Sequence, residues 1–224
     1  MLQVAFGQRM LIYEGSSKKI YSGFDEDTLV VHFIGDGSTE VVRAKTSEAL
    51  WLYLRGIGID NGFVRGLNVR EQLVKAVDIH PVFMTIHNIS QIDLRTRLGI
   101  QEGTLFPNSL VEWRFRSKAL DDPIVSREHI TCFGWLQGNE LDRMQAIGVR
   151  ANDVLRALFC CLGLRIASIE LEFGICNNQL ILTGELSPRT IKYWDDDRHT
   201  TMLENTVYQV LQDIPIKNIR STYG

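Results

Sequence analysis

One long amphipathic stretch limits what this chain can become. Across residues 139–164, NELDRMQAIGVRANDVLRALFCCLGL, apolar side chains recur at Leu141, Met144, Ile147, Ala151, Leu155, Leu158 and Phe159. That spacing predicts a helix with one apolar stripe, and Gly163 supplies its stop. Such a helix must bury its stripe against another layer. The first third of the chain offers strands. LIYEG, KKIYSGF and TLVVHFIG are short β-rich runs parted by Gly, Asp and Ser, which reads as a meander. A helix is predicted from Ser47 through SEALWLYLRGIGI, ended by Gly56 and Gly58, with Trp51 on its core face. GFVRGL, EQLVKAVDI and PVFMTIHNI read as further strands, and QIDLRTRLGI as a helical turn stopped at Gly99. IASIELEFGI and NQLILTGEL form a hairpin across Cys176-Asn177-Asn178, where Asn tolerates positive φ. Ser126 with His129 caps a short helix, and a last helix is expected from about Met202 to Asp213. The class is α+β.

Composition removes several functions. Hydrophobic residues make up 45% and charged residues 23% of the 224, values of a folded globular protein. A net charge of −3 gives phosphate backbones no general attraction, so no nucleic-acid partner is expected. No run reaches the length of a membrane span, and the opening MLQVAFGQRMLIYEG has no signal-peptide pattern, so a cytoplasmic protein is expected. Cys132, Cys160, Cys161 and Cys176 form no CxxC pair and read as buried free thiols.

Two stretches carry chemistry. Gly15-Ser16-Ser17-Lys18 lies between two β-runs, where backbone N–H groups and a lysine can meet a polyphosphate. Lysines in a hairpin are more often merely solvated. Leu171-Glu172-Phe173-Gly174 and Gly184-Glu185-Leu186-Ser187-Pro188 sit on the two arms of the expected hairpin. Paired strands would bring Glu172 and Glu185 together, and two carboxylates can hold Mg²⁺ through oxygen. The run Asp195-Asp196-Asp197-Arg198 reads as a solvated turn or, less often, a metal loop.

Read in order, these stretches resemble the SAICAR synthetase family nearly end to end. Residues 15–21 are similar to its GKAKxxY loop, and Leu73-Val74-Lys75 to its LVKK strand. His87-Asn88 stands where the family has VVRN, and residues 97–103 resemble RLGIEEG. Asp122-Pro123, Phe133-Gly134-Trp135, Ala151-Asn152-Asp153-Val154-Leu155, LEFG at 171–174, Glu185 with Ser187-Pro188, and Trp194-Asp195 follow in register. The resemblance implies a two-lobe fold with antiparallel sheets and an ATP cleft between lobes. Residues 1–80 would be the nucleotide-covering lobe and 81–224 the catalytic and substrate lobe. It implies ATP-dependent joining of a small-molecule carboxylate to an amine, with Mg²⁺. Gly15, Ser16, Ser17, Lys18, Lys75 and Glu172 would bind the nucleotide. Lys18, Glu172 and Glu185 would act in catalysis, and Glu172 and Glu185 on the metal. Family members are often homo-oligomers.

The departures fall at the pocket. Ser16 replaces the first lysine of GKAK, and a segment after the second β-run is missing. The arginine of VVRN is His87, and Asp93 enters the phosphate-binding turn. Ser168 and Glu170 replace the Asp and Lys before LEFG, Gly184 an acid, Arg189 an Asp, and Lys192 an Arg. His87, Asp93, Ser168, Glu170, Ser187, Arg189 and Lys192 are therefore the expected substrate contacts, and the family's ribotide is not the expected substrate. Three readings stay open. One is a ligase for another carboxylate and amine, as in nucleoside-antibiotic assembly or other specialised metabolism. The second is a non-catalytic or regulatory nucleotide-binding relative. The third is a small-molecule kinase.

Overall fold

The computed structural model describes residues 9–202 and Val207. Two antiparallel sheets divide the described chain. The first holds β1 (Leu11–Glu14), β2 (Lys18–Ser22), β3 (Thr28–Phe33), β4 (Phe63–Gly66) and β5 (Glu71–Lys75), in the order β1-β2-β3-β5-β4. Its three leading strands are the expected meander. Helix α1 (Thr39–Gly56) packs on it through Val42, Leu50, Trp51 and Leu54. The helix begins at Thr39, before the expected Ser47. The Asp36 carboxylate accepts from the Thr39 N–H, and Glu40 from the Gly37 N–H. The first contact satisfies an N–H group that a helix start leaves unpaired, and the second ties the preceding turn to the helix.

The second sheet contains β6 (Asp78–Ile79), β7 (Val82–Ile89), β8 (Leu105–Phe115), β9 (Ile124–Val125), β10 (Arg165–Cys176), β11 (Gln179–Thr183), β12 (Ile191–Asp195) and β13 (Thr200–Thr201). Strand β10 organises it. Its first half lies between β12 and β7, and its second half pairs with β11 and β6. Asn177 and Asn178 turn the β10–β11 hairpin with φ of 50° and 61°, as their side chains allow. Gly174 lets β6 approach, since a Cβ there would lie 2.4 Å from the Asp78 carbonyl oxygen.

Helix α2 (Ile92–Leu98) ends on left-handed Gly99, and α3 (Arg127–Cys132) is capped reciprocally by Ser126 and His129. Helix α4 (Gly138–Cys161) is the long amphipathic helix. It buries Leu141, Met144, Ala151, Leu155 and Phe159, together with Gly148 and Asn152, which the stripe did not include. Gly148 marks the closest approach, where a Cβ would sit 2.7 Å from Met84 Sδ. Phe159 takes the last core position of the helix, so Cys160 and Cys161 turn outward. Both are exposed, as is Cys132, which corrects the expectation of buried thiols. Among the described residues no helix is long and apolar enough to cross a membrane. The expected helix from Met202 to Asp213 lies outside the described residues except at Met202 and Val207.

Candidate active site

Strand alternation gives the second sheet one apolar and one polar face. Met84 and Leu171 point to α4. On the opposite face, Ser168 lies across from His87 and Lys192, Glu170 from Thr85, and Thr85 from Glu112. Four of the expected substrate contacts, His87, Ser168, Glu170 and Lys192, thus share one surface. Thr85 Oγ1 and His87 Nδ1 on this face are buried without a hydrogen-bond partner among the described residues. Burial raises the Glu170 carboxyl above its ordinary value, against the opposing pull of Lys192 and Arg114.

Asp93 joins this surface from α2. The Nε2 of His87 lies 3.1 Å from Glu112, and Arg97 donates to both Glu112 oxygens at 2.9 Å while standing 3.5 Å from Asp93. Burial alone would raise the Glu112 carboxyl, but bonding to His87 and Arg97 outweighs it and holds the pKa at about 2. His87, Asp93 and Glu112 offer ligand atoms within 4.8 Å of one another, with the Arg97 cation already among them.

At the nucleotide end, residues 15–17 turn between β1 and β2, and Gly15 N–H donates to the Lys18 carbonyl. Lys18 pairs with Phe33 at one end of β3, and Lys75 with Thr28 at the other. Five residues of strand separate the two rungs, about 17 Å. Over that odd number of residues strand alternation also sends the two side chains to opposite faces of the sheet, so the lysines do not meet at one phosphate.

The expected metal pair is not free. Strand pairing sets Glu172 opposite Thr183, and its carboxylate packs over Gly184, where a Cβ would lie 2.6 Å from Oε2. The Arg116 guanidinium donates to Glu172 Oε1 at 3.0 Å. Glu185 is buried and receives Arg43 at both oxygens, at 2.9 and 3.0 Å, as well as the Ser187 hydroxyl. With both carboxylates met by arginines, this pair does not fit a divalent cation. Gly184 has no side chain to contribute there, and Arg43 occupies both oxygens of Glu185. Ser187 instead caps a turn with Thr190, leaving Arg189 exposed at its tip. The acidic run is a solvated turn, with Asp195 accepting from the Asp197 and Arg198 N–H groups and Asp196 paired to Arg165.

Sequence reasoning did not single out Arg43, Thr85, Glu112 or Arg116. Their types carry no motif, and their roles arise from partners far along the chain. Arg97 stood in a quoted motif without a role.

An α+β fold of two antiparallel sheets, with a glycine–lysine turn on the first and a polar face on the second, is shared with a class of solved ATP-dependent carboxylate–amine ligases. The chain belongs to the SAICAR synthetase family, the ATP-dependent carboxylate–amine ligases, whose sequence profile matches residues 11–209. It is 38% identical over 204 residues to the phosphoribosylaminoimidazole-succinocarboxamide synthase of Sinorhizobium medicae, covering 84% of this chain and 80% of that one. It is 40% identical over 204 residues to the protein of the same name from Rhodospirillum centenum, with the same coverage. The crystal structure of that synthase from Ehrlichia chaffeensis superposes with a TM-score of 0.81 at 29% identity, covering 95% of this chain and 96% of that one. A SAICAR synthetase in complex with ADP has the same fold, with a TM-score of 0.80 at 24% identity over 94% of this chain and 95% of the other.

Proposed function

We propose that this chain is a SAICAR-synthetase-type ligase that joins a carboxylate and an amine other than the family's usual pair. The observation that carries the reading is the cluster of His87, Glu112, Arg97 and Asp93. A phosphate site needs uncompensated cations, best an arginine fork. Here Arg97 is already held by Glu112 and Asp93, and a carboxylate stands in the turn that would receive the anion. Relatives carry the name of the ribotide enzyme, so the departure concerns the ligand and not the class of reaction.

In this reading Gly15, Ser16, Ser17 and Lys18 of the first sheet meet the phosphates of ATP. Residues 1–80 cover the nucleotide, and 81–224 present the substrates. A protein with the same fold is known in complex with ADP, which supports the use of a nucleotide. A substrate carboxylate is suited to Lys192 and Arg189, and an amine to Glu170. Thr85 and His87 offer unpaired polar atoms between them.

The test is a purified-protein assay of ADP release with a panel of carboxylates and amines, run beside the parent ribotide with aspartate. Turnover of the ribotide at ordinary enzyme rates, roughly 1–1000 per second, would refute the departure. A second reading, a nucleotide-binding relative without catalysis, is favoured by the arginines on both acids. It predicts ADP binding with no turnover on any pair.

A further inference from the structure

We propose that Arg43 is a resident cation that takes the metal's place at Glu185 and closes the phosphate loop onto the second lobe. The inference rests on reading the cleft as the nucleotide site.

Arg43 belongs to α1 of the first lobe. Its Nε and NH2 donate to Glu185, 142 positions away on the second lobe. Its NH1 donates to the carbonyls of Ser17, at 3.2 Å, and Ile34, at 3.1 Å. One side of the guanidinium faces the Phe33 ring at 5.3 Å. One planar cation thus binds the loop at Ser17, the end of β3 and the acid of the opposite lobe. Only 4% of the Arg43 side chain and 7% of the Glu185 side chain is exposed.

A divalent ion at Glu185 would need at least one carboxylate oxygen and would stand beside this fixed positive charge. Both oxygens already accept from Arg43, and Oε1 also accepts from Ser187. The guanidinium cannot lose its proton to make room. Arg43 also orients the loop. With its Ser17 carbonyl held by Arg43 and its Gly15 N–H by the Lys18 carbonyl, the loop is fixed in one shape beside Lys18. Arg43 is therefore a positioning residue for the phosphates, and the cleft has a cation whether or not metal is supplied.

The experiment uses the whole chain and two probes. Mn²⁺ alone is titrated and read by electron paramagnetic resonance, and ADP is titrated with Mg²⁺ or with chelator. The wild type should show no stoichiometric Mn²⁺ site. Arg43→Met, which keeps length but removes charge, should gain one, and Glu185→Gln in that background should lose it again. Wild-type ADP affinity should change by less than about tenfold on chelation. That measurement needs no variant, so it decides the question even if Arg43→Met fails to fold. A wild-type Mn²⁺ site lost in Glu185→Gln, or ADP binding that collapses on chelation, would overturn the proposal. A folded Arg43→Met that gains no site would overturn it as well. Absence of ADP binding under both conditions would instead refute the nucleotide cleft and leave the Mn²⁺ result standing.

Discussion

Arg43 and Glu185 form a buried bidentate ion pair that ties the first helix to the second sheet. Charges removed from water to this extent interact strongly only while both are present. Truncating one strands the other. Arg43→Ala and Glu185→Ala should each lower unfolding free energy by about 3–5 kcal/mol. The double variant should cost less than the sum of the two. Urea unfolding of all four proteins gives the coupling, and additive losses would show that the pair contributes nothing as a pair.

The Glu112 carboxyl sets a pH dependence. Its folded pKa is about 2, below its ordinary 4.5. A depressed carboxylate stabilises the fold fully above its unfolded pKa, and loses that contribution as pH falls through the folded one. Glu112→Gln should therefore be less stable than wild type near neutrality by about 3 kcal/mol. The gap should close between about pH 4.5 and pH 2. Denaturant titrations at several pH values measure it, and a constant gap would sink the assignment.

Gly184 replaces an acid of the resembling family, and reversal is not simple. Its φ is +83°, and an added Cβ would lie 2.6 Å from the Glu172 carboxylate. Gly184→Asp should destabilise by about 1–3 kcal/mol from backbone conformation alone, before charge repulsion is counted. Thermal unfolding should show the loss. A neutral or stabilising result would mean that the β11–β12 connection rearranges freely.

These predictions depend on features of different legibility. The amphipathic helix, the Asn177-Asn178 hairpin and the Ser126–His129 cap were readable because their signals are local. Strand β8 was missed. Pro107 and Asn108 interrupt its alternation, and its ladder with β7 is set by a partner sheet that one stretch cannot display. The motif residues could be found in the chain, but which of them would be neutralised could not. Glu185 reads as a metal ligand until Arg43 is folded onto it. Likewise His87 reads as a lost arginine, while the structure shows Arg97 beside it, already bound by Glu112.

That last arrangement yields a reversal experiment. If the ribotide phosphate is refused because His87 lacks a fork and Asp93 repels the anion, the two effects should be removable together. His87→Arg restores a guanidinium beside Glu112, and Asp93→Ser takes away the competing carboxylate and frees Arg97 from one partner. A bidentate arginine–phosphate contact is a strong, charge-assisted one, and a nearby carboxylate opposes phosphate by like charge. About 2 kcal/mol regained would appear as roughly thirtyfold tighter binding. Calorimetry with the parent ribotide, before and after the double change, measures this gain. The unphosphorylated nucleoside serves as control and should bind both proteins alike. Tight ribotide binding by the unchanged chain would show that the cluster opens to admit phosphate, and the substrate would then be the family's own. A gain confined to the double variant would place the refusal in these two residues.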